Sequence, residues 1–180
     1  MRKFSVLLII TLLISGCTSP TNVSAPGFVT SCDQIRLLES ADKSALMGCL
    51  DGSGEIDFHQ VKGPLLINVW GSWCEGCKQE MPYFVELYQS PLFKSGQIQM
   101  LGVNVEEKSK EDVIEYIQKS GMSWPNLEDT SGISKSIFGP GVPVTWFIDE
   151  NGKNIETKIG AYTNKKQLFN QVEKAFGIKL

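Results

Sequence analysis

The sequence predicts one α/β domain in which helices flank a mixed central sheet. Its 180 residues, 42% hydrophobic and 21% charged, are ordinary for one globular domain. Short apolar runs such as residues 64–70 alternate with segments whose apolar residues recur at helical spacing. Strands joined by helices form a parallel core, and the Asn151-Gly152 pair is a strong hairpin signal that adds antiparallel strands.

The N-terminal residues are predicted to lie outside this domain. Arg2 and Lys3 form a basic start, and residues 4–14 are an apolar run too short for a comfortable membrane helix, so residues 1–16 are predicted to be a signal peptide. Residues 17–30, rich in Ser, Thr, Pro, Asn and Gly, are predicted to be a flexible tether, which leaves residues 31–180 for the domain. The net charge of −3 offers no basic field for binding nucleic acid.

Within the domain, each element is predicted from its periodicity and its end signals. Ser109 and Asn164 are expected to cap helices, and Gly121 and Gly177 to end them. The predicted order begins with a short helix or helical turn in residues 31–44, a hairpin in 50–61, a strand at 64–70 and a helix from Cys74. A loop around 90–96, a strand at 97–105, a helix at 108–120, an extended piece at 122–128, a short helix at 132–138, strands at 142–148 and 153–159, and a final helix follow.

Cys74 and Cys77 form a C-x-x-C pair where the buried strand passes into a helix. Helix-start N–H groups and the positive end of the helix dipole both favour a thiolate, so the first cysteine can ionise well below the usual pKa of about 8.5. Cys74 is therefore the predicted nucleophile, and Cys77, roughly one turn later, the resolving thiol. A structural zinc would need a second C-x-x-C or a histidine pair, which the sequence lacks, so we expect dithiol chemistry without a metal or cofactor.

The segment around this pair resembles the active-site segment of thioredoxin-fold proteins, specifically the extracytoplasmic TlpA/ResA-like thiol-disulfide oxidoreductases. Trp73 precedes the first cysteine, Glu80 and Pro82 follow the second, and Gly-Val-Pro-Val-Thr occurs at residues 141–145. The resemblance extends from about Cys49 to the C-terminus. It implies a thioredoxin-like fold, here with an N-terminal hairpin and a central αβ insertion at about residues 106–126.

The resemblance also implies roles for residues around the dithiol. Pro143 would be cis and lie against the cysteines, and Val142 would offer its backbone to an extended substrate chain. Glu80 would relay protons, because the non-titrating Asn68 stands where many thioredoxins have a buried aspartate.

Three residues next to the cysteines have weaker signals. Trp73 is expected to belong to a flat apolar docking surface. Glu75 is expected to be exposed, to oppose thiolate formation and to select partners. Gly76 departs from the family, where proline is common, so the direction of electron flow stays open.

The remaining cysteines and the only histidine have separate interpretations. Residues 14–17, Ile-Ser-Gly-Cys, resemble the bacterial lipobox, so Cys17 is expected to carry lipid; ordinary secretory cleavage is the alternative. In an oxidising compartment Cys32 and Cys49 are expected to form a structural disulfide, and the competing interpretation is a second redox pair or a partner for Cys74. His59 is expected to face solvent.

The implied function is that of a lipid-anchored enzyme on the extracytoplasmic face of the cell membrane. It would reduce a disulfide in an exported protein, with apocytochrome c as the best-known family substrate, and a membrane redox partner would recycle its dithiol. Oxidation of newly exported proteins is the alternative direction. A copper chaperone on the same fold is disfavoured because such proteins use C-x-x-x-C with a distant histidine, and a peroxiredoxin because residues 67–74, INVWGSWC, lack its Pro-x-x-x-Thr/Ser-x-x-Cys motif.

Overall fold

The computed structural model describes residues 25–39 and 44–180. They form a seven-stranded mixed sheet in the order β2-β1-β5-β4-β3-β6-β7. The strands are β1 (Leu46–Cys49), β2 (Glu55–Asp57), β3 (Leu65–Trp70), β4 (Gln99–Val105), β5 (Asn126–Asp129), β6 (Val144–Ile148) and β7 (Asn154–Ile159). The helices are α1 (Glu75–Tyr88), α2 (Pro91–Lys94), α3 (Lys110–Ser120), α4 (Ser134–Phe138) and α5 (Lys165–Phe176). The predicted mixed α/β fold is confirmed.

Strand β3 is the centre of the sheet. All of its residues are buried, as expected for an apolar strand that is covered on both faces. It pairs in parallel with β4 and antiparallel with β6. The C-terminal end of β3 and the N-terminal end of β6 therefore lie at the same edge of the sheet, which brings residues 71–74 close to residues 142–143.

Each face of the sheet has its own apolar core. The first core lies under α1, α3 and α5 and contains Cys74 and Cys77. The second core lies under α4, includes residues of the hairpin strands β1 and β2, and contains Cys32 and Cys49. The two cysteine pairs are thus on opposite faces of the sheet.

The central αβ insertion is formed by α3 and β5, as the resemblance implies. Ser109 caps α3 by accepting a hydrogen bond from the Asp112 N–H, and Gly121 ends the helix with a φ of 83°. Asn164 likewise caps the start of α5, and Gly177 ends it. Since β5 joins β4 to β1 within the sheet, the insertion also connects the hairpin to the parallel core.

Two local predictions are wrong. The loop predicted around residues 90–96 contains the short helix α2, which begins with Pro91, a residue whose fixed φ suits a first helical position. The predicted hairpin has its first strand before the turn, at Leu46–Cys49, and Phe58–Gln60 is a 3-10 turn because the Asp57 side chain accepts the His59 N–H. The helical turn predicted within residues 31–44 is present as a 3-10 turn at Cys32–Gln34.

The end of the predicted tether lies on the domain. The Gly27 N–H donates to Gln118 O and the Phe28 N–H to Met122 O, at 3.0 and 2.9 Å. A Cβ on Gly27 would lie 2.1 Å from Ile117 O, so glycine permits this close approach. The predicted signal peptide at 1–16, Cys17 and the first part of the tether lie outside the described residues.

Candidate active site

Cys74 and Cys77 are joined in a disulfide at the start of α1. Their sulfurs are 2.12 Å apart and their Cα atoms 5.2 Å apart. Cys74 is the N-cap of α1, and its Sγ accepts the Cys77 N–H at 3.1 Å. Cys74 is 5% exposed and Cys77 is fully buried, so Cys74 is the more accessible cysteine of the pair. After reduction, the same N–H and the helix dipole would stabilise a thiolate on Cys74.

The Glu80 carboxyl is buried behind the disulfide, one turn after Cys77 on α1. Its Oε1 accepts the Asn68 Nδ2–H at 3.1 Å, and its Oε2 accepts the Tyr162 N–H at 2.9 Å. Burial raises the pKa of Glu80 to about 7, although these two hydrogen bonds and the charge of Lys158 oppose the rise. A carboxyl with this pKa can take up or release a proton near neutral pH.

Two tyrosines, Tyr116 and Tyr162, interact electrostatically with Glu80, and both phenols remain protonated. Burial and the charge of Glu80 raise the pKa of both Tyr116 and Tyr162 well above the usual value. The Tyr116 ring packs on Trp70 at a centroid distance of 5.1 Å, and the Tyr162 OH donates to Gln171. Glu80 is therefore the group of this cluster that can change charge near neutrality.

The loop that contains Pro143 lies directly against the C-x-x-C turn. The Val142–Pro143 peptide bond is cis. A Cβ on Gly76 would lie 3.3 Å from Pro143 Cδ and 3.5 Å from Ala161 Cβ, so the glycine sits between these two neighbours. Pro143 is buried and Val142 is half-buried.

A carboxylate that sequence reasoning missed holds the loop before Cys74. Glu107, just after β4, accepts hydrogen bonds from the Ser72 N–H and, at 2.6 Å, from the Ser72 Oγ–H. Asn104 Nδ2 also donates to Glu107, at 2.7 Å. The carboxyl ends of the parallel strands β3 and β4 meet at one edge, where Trp70 is in register with Asn104, and this pairing brings Glu107 to the loop.

Trp73 lies over the same connection. It is 47% exposed, and its Nε1–H donates to Val105 O at 3.3 Å. Trp73 and Val142 both line a shallow cleft. Two of the residues predicted to bind substrate thus share one depression beside the disulfide. Glu75 is exposed at the first position of α1 and does not line this cleft.

Comparisons with known proteins agree with this geometry. The family model described as AhpC/TSA matches residues 41–156. The chain belongs to the AhpC/TSA family. The thiol-disulfide oxidoreductase ResA of Bacillus thuringiensis strain Al Hakam is 29% identical over 178 residues, which cover 97% of this chain and 98% of that protein. ResA of Geobacillus thermodenitrificans is 34% identical over 102 residues, covering 56% of this chain and 57% of that protein.

Solved structures give the same fold. The crystal structure of StoA from Bacillus subtilis covers 72% of this chain and 96% of its own, with 26% identity and a TM-score of 0.56. A secreted disulfide oxidoreductase of Mycobacterium tuberculosis is 17% identical with a TM-score of 0.61, covers 72% of this chain and 94% of its own, and supports the fold alone. The AhpC/TSA family member is thus a ResA-like thiol-disulfide oxidoreductase with a thioredoxin-like fold, as the sequence predicts.

The other cysteine pair of this AhpC/TSA member lies away from the candidate site. Cys32 and Cys49 are joined in a disulfide with their sulfurs 2.30 Å apart, and both are buried in the second core. With Asp51 they are the one described group whose potential metal-binding atoms lie within 4.8 Å of one another, but the disulfide occupies both sulfurs. His59 is exposed, as expected. Cys17 lies outside the described residues.

Among the described residues, no helix combines the length and the apolar character needed to cross a membrane.

Proposed function

We propose that this chain reduces disulfide bonds in exported proteins, such as apocytochrome c, on the outer side of the cell membrane. One observation carries the proposal. The Sγ of Cys74, the less buried cysteine of the Cys74–Cys77 disulfide, caps a helix, and a buried carboxyl with a pKa of about 7 lies one turn behind the pair. This arrangement combines an attackable sulfur, a buried partner sulfur and a proton carrier.

In the first step, the reduced enzyme forms a mixed disulfide. The Cys74 thiolate attacks one sulfur of the substrate cystine, the substrate S–S bond breaks, and the released substrate thiolate takes a proton from solvent. Because Cys77 is fully buried, it does not compete for the substrate.

In the second step, the substrate leaves with both electrons. The Cys77 thiol gives its proton to the Glu80 carboxylate, and the resulting thiolate attacks Cys74 Sγ. The mixed disulfide breaks, the second substrate sulfur leaves and is protonated, and the Cys74–Cys77 disulfide forms. A membrane redox partner that supplies a dithiol then returns two electrons to the enzyme.

The substrate would lie along the loop beside the dithiol. Val142 would present its backbone to an extended chain, and Pro143 would keep the adjacent cysteines free of metal ions. Trp73 would provide an apolar contact from its half-exposed ring, and Glu75 would disfavour acidic partners by like-charge repulsion.

An oxidised peptide with the haem-attachment motif Cys-x-x-Cys-His tests the substrate class. We expect the reduced chain to reduce this peptide faster than it reduces insulin, and Cys74→Ser to abolish both reactions. Cys77→Ser should accumulate the mixed disulfide, visible by mass spectrometry. Equal rates for the peptide and insulin would refute the apocytochrome c part of the proposal.

The reduction potential of the Cys74/Cys77 couple tests the direction. A value near the thioredoxin value of about −270 mV supports a reductant, whereas a value near about −120 mV would identify an oxidant of exported proteins.

Membrane attachment is proposed through lipid on Cys17. The sequence of residues 14–17 supports this proposal. Mass spectrometry of the protein from a membrane fraction should find a diacylglyceryl group on Cys17 at the mature N-terminus, and an unmodified thiol there would refute the anchor.

A further inference from the structure

The Lys158 side chain on β7 binds the segment that follows its own strand. Its Nζ donates hydrogen bonds to Ile159 O and Gly160 O at 2.7 Å each and lies 3.5 Å from Ala161 O. The same ammonium group lies 5.5 Å from the centre of the Tyr162 ring. One cation therefore binds successive carbonyl groups, and this arrangement restrains the backbone of residues 159–162.

Residues 159–162 lie against three parts of the candidate active site: the Pro143 loop, Gly76 in the C-x-x-C turn and Glu80. The Gly160 N–H donates to Pro143 O at 2.9 Å. Ala161 Cβ lies 3.5 Å from where a Cβ on Gly76 would be. The Tyr162 N–H donates to Glu80 Oε2 at 2.9 Å. The position of residues 159–162 therefore sets the position of the Tyr162 N–H, which donates to Glu80.

We propose that Lys158 is a positioning residue for Glu80, because it fixes the segment that donates to the Glu80 carboxylate and adds a positive charge to the surroundings of that carboxylate. The proposal rests on the proton-carrying role of Glu80 in the proposed function. It concerns a residue outside the C-x-x-C segment and outside the loop of Pro143.

The electrostatic surroundings of Glu80 support this role. The Glu80 carboxylate interacts with the Asn68 amide from β3, with Lys158 from β7 and with the Tyr162 N–H. Its charge also acts on the phenols of Tyr116 from α3 and Tyr162. Of these groups, Lys158 is the cationic one. Its charge lowers the pKa of Glu80, against the rise that burial causes.

The test is a carbon-13 NMR titration of the Glu80 carboxyl in the full, oxidised chain. In Lys158→Met we expect the pKa of Glu80 to rise by about half a unit, because a neighbouring positive charge is lost. We also expect the Tyr162 amide hydrogen to exchange faster. Lys158→Arg should restore both properties, and Lys158→Gln, which keeps a donor without the charge, should show the raised pKa with slower exchange than Lys158→Met.

Lys153→Met is the matched control, since Lys153 is exposed at the other end of β7. A Glu80 titration in Lys158→Met that equals the wild type, or equals that of Lys153→Met, would overturn the proposal. Circular dichroism verifies that each variant is folded.

These readouts need no turnover, so the two proposals fail in different ways. An inactive chain whose Glu80 titration depends on Lys158 would refute the proposed function and keep this inference. An active chain whose Glu80 titration does not depend on Lys158 would keep the proposed function and refute this inference.

Discussion

Replacing Glu80 by glutamine should stabilise the oxidised protein above neutral pH. Burial raises the pKa of Glu80 from 4.5 to about 7. One pKa unit corresponds to about 1.4 kcal/mol, so keeping this carboxyl ionised in the folded protein costs about 3 kcal/mol. Because the folded pKa lies above the unfolded one, the stability contributed by this group is fully present below pH 4.5 and is lost as the pH rises to about 7.

The side-chain amide introduced by Glu80→Gln does not ionise, so this variant would not lose stability as the pH rises. The amide can also form hydrogen bonds in place of those of the carboxyl. Glu80 accepts from the Asn68 Nδ2–H and the Tyr162 N–H. The Asn68 Oδ1 has no hydrogen-bond partner among the described residues. A rotated Asn68 amide can therefore accept from the new Nε2, while the new Oε1 accepts from Tyr162. We expect Glu80→Gln to gain about 2 to 3 kcal/mol over the wild type at pH 8 and almost nothing at pH 4.

Urea unfolding of the oxidised proteins without added thiol measures this difference. The free energy of unfolding is compared at about pH 4 and about pH 8 for the wild type and Glu80→Gln. Glu111→Gln, on the exposed side of α3, controls for the loss of a surface carboxyl. If the wild type and Glu80→Gln keep the same difference at both pH values, Glu80 is not a buried acid with a raised pKa, and the reasoning is refuted.

Three further changes test the structure. Cys49→Ser removes the disulfide of the second core, whose cysteines are 17 residues apart, and should lower the free energy of unfolding by about 3 kcal/mol. The folded variant should still reduce insulin, and loss of turnover would contradict a purely structural disulfide. Glu107→Gln should cost about 1 to 3 kcal/mol and speed amide exchange in the active-site loop, so unchanged exchange there would show that the carboxylate does not hold it. Gly102→Ala would place a Cβ 1.7 Å from Asn126 Oδ1 and should destabilise by about 3 kcal/mol or more in a thermal unfolding experiment. Gly48→Ala, which has open space around it, is the control and should unfold near the wild-type temperature.

The fold was predictable where periodicity or a cap determines an element. The apolar run that ends at Trp70, the N-caps Ser109 and Asn164 and the hairpin at Gly152 each have a local signal, and each matches the structure. Helix α2 was missed because four residues are too few to show a helical period, and the proline at its start resembles a loop signal.

The candidate site was predictable only where residues adjoin the motif. Cys74, Cys77 and Glu80 lie on one helix, so their spacing alone places them together. Lys158 binds carbonyl groups of its own segment, and that segment reaches the site through contacts with Pro143 and Glu80. Glu107 reaches the site through a contact with Ser72 that depends on strand order and register. A single sequence contains no direct record of that order, so neither residue could be distinguished from an ordinary surface charge.

The Asn126 amide has a consequence for attempts to make a smaller version of this enzyme. Its Oδ1 accepts the Trp70 indole N–H at 3.0 Å, its Nδ2 donates to Trp124 O at 2.8 Å, and its backbone O accepts the Leu50 N–H at 2.9 Å. Excising the inserted helix and strand would thus leave a tryptophan donor in the apolar interior without an acceptor, four positions before the nucleophile. Miniaturisation by that route would damage the catalytic strand itself, so a reduced scaffold has to retain the insertion.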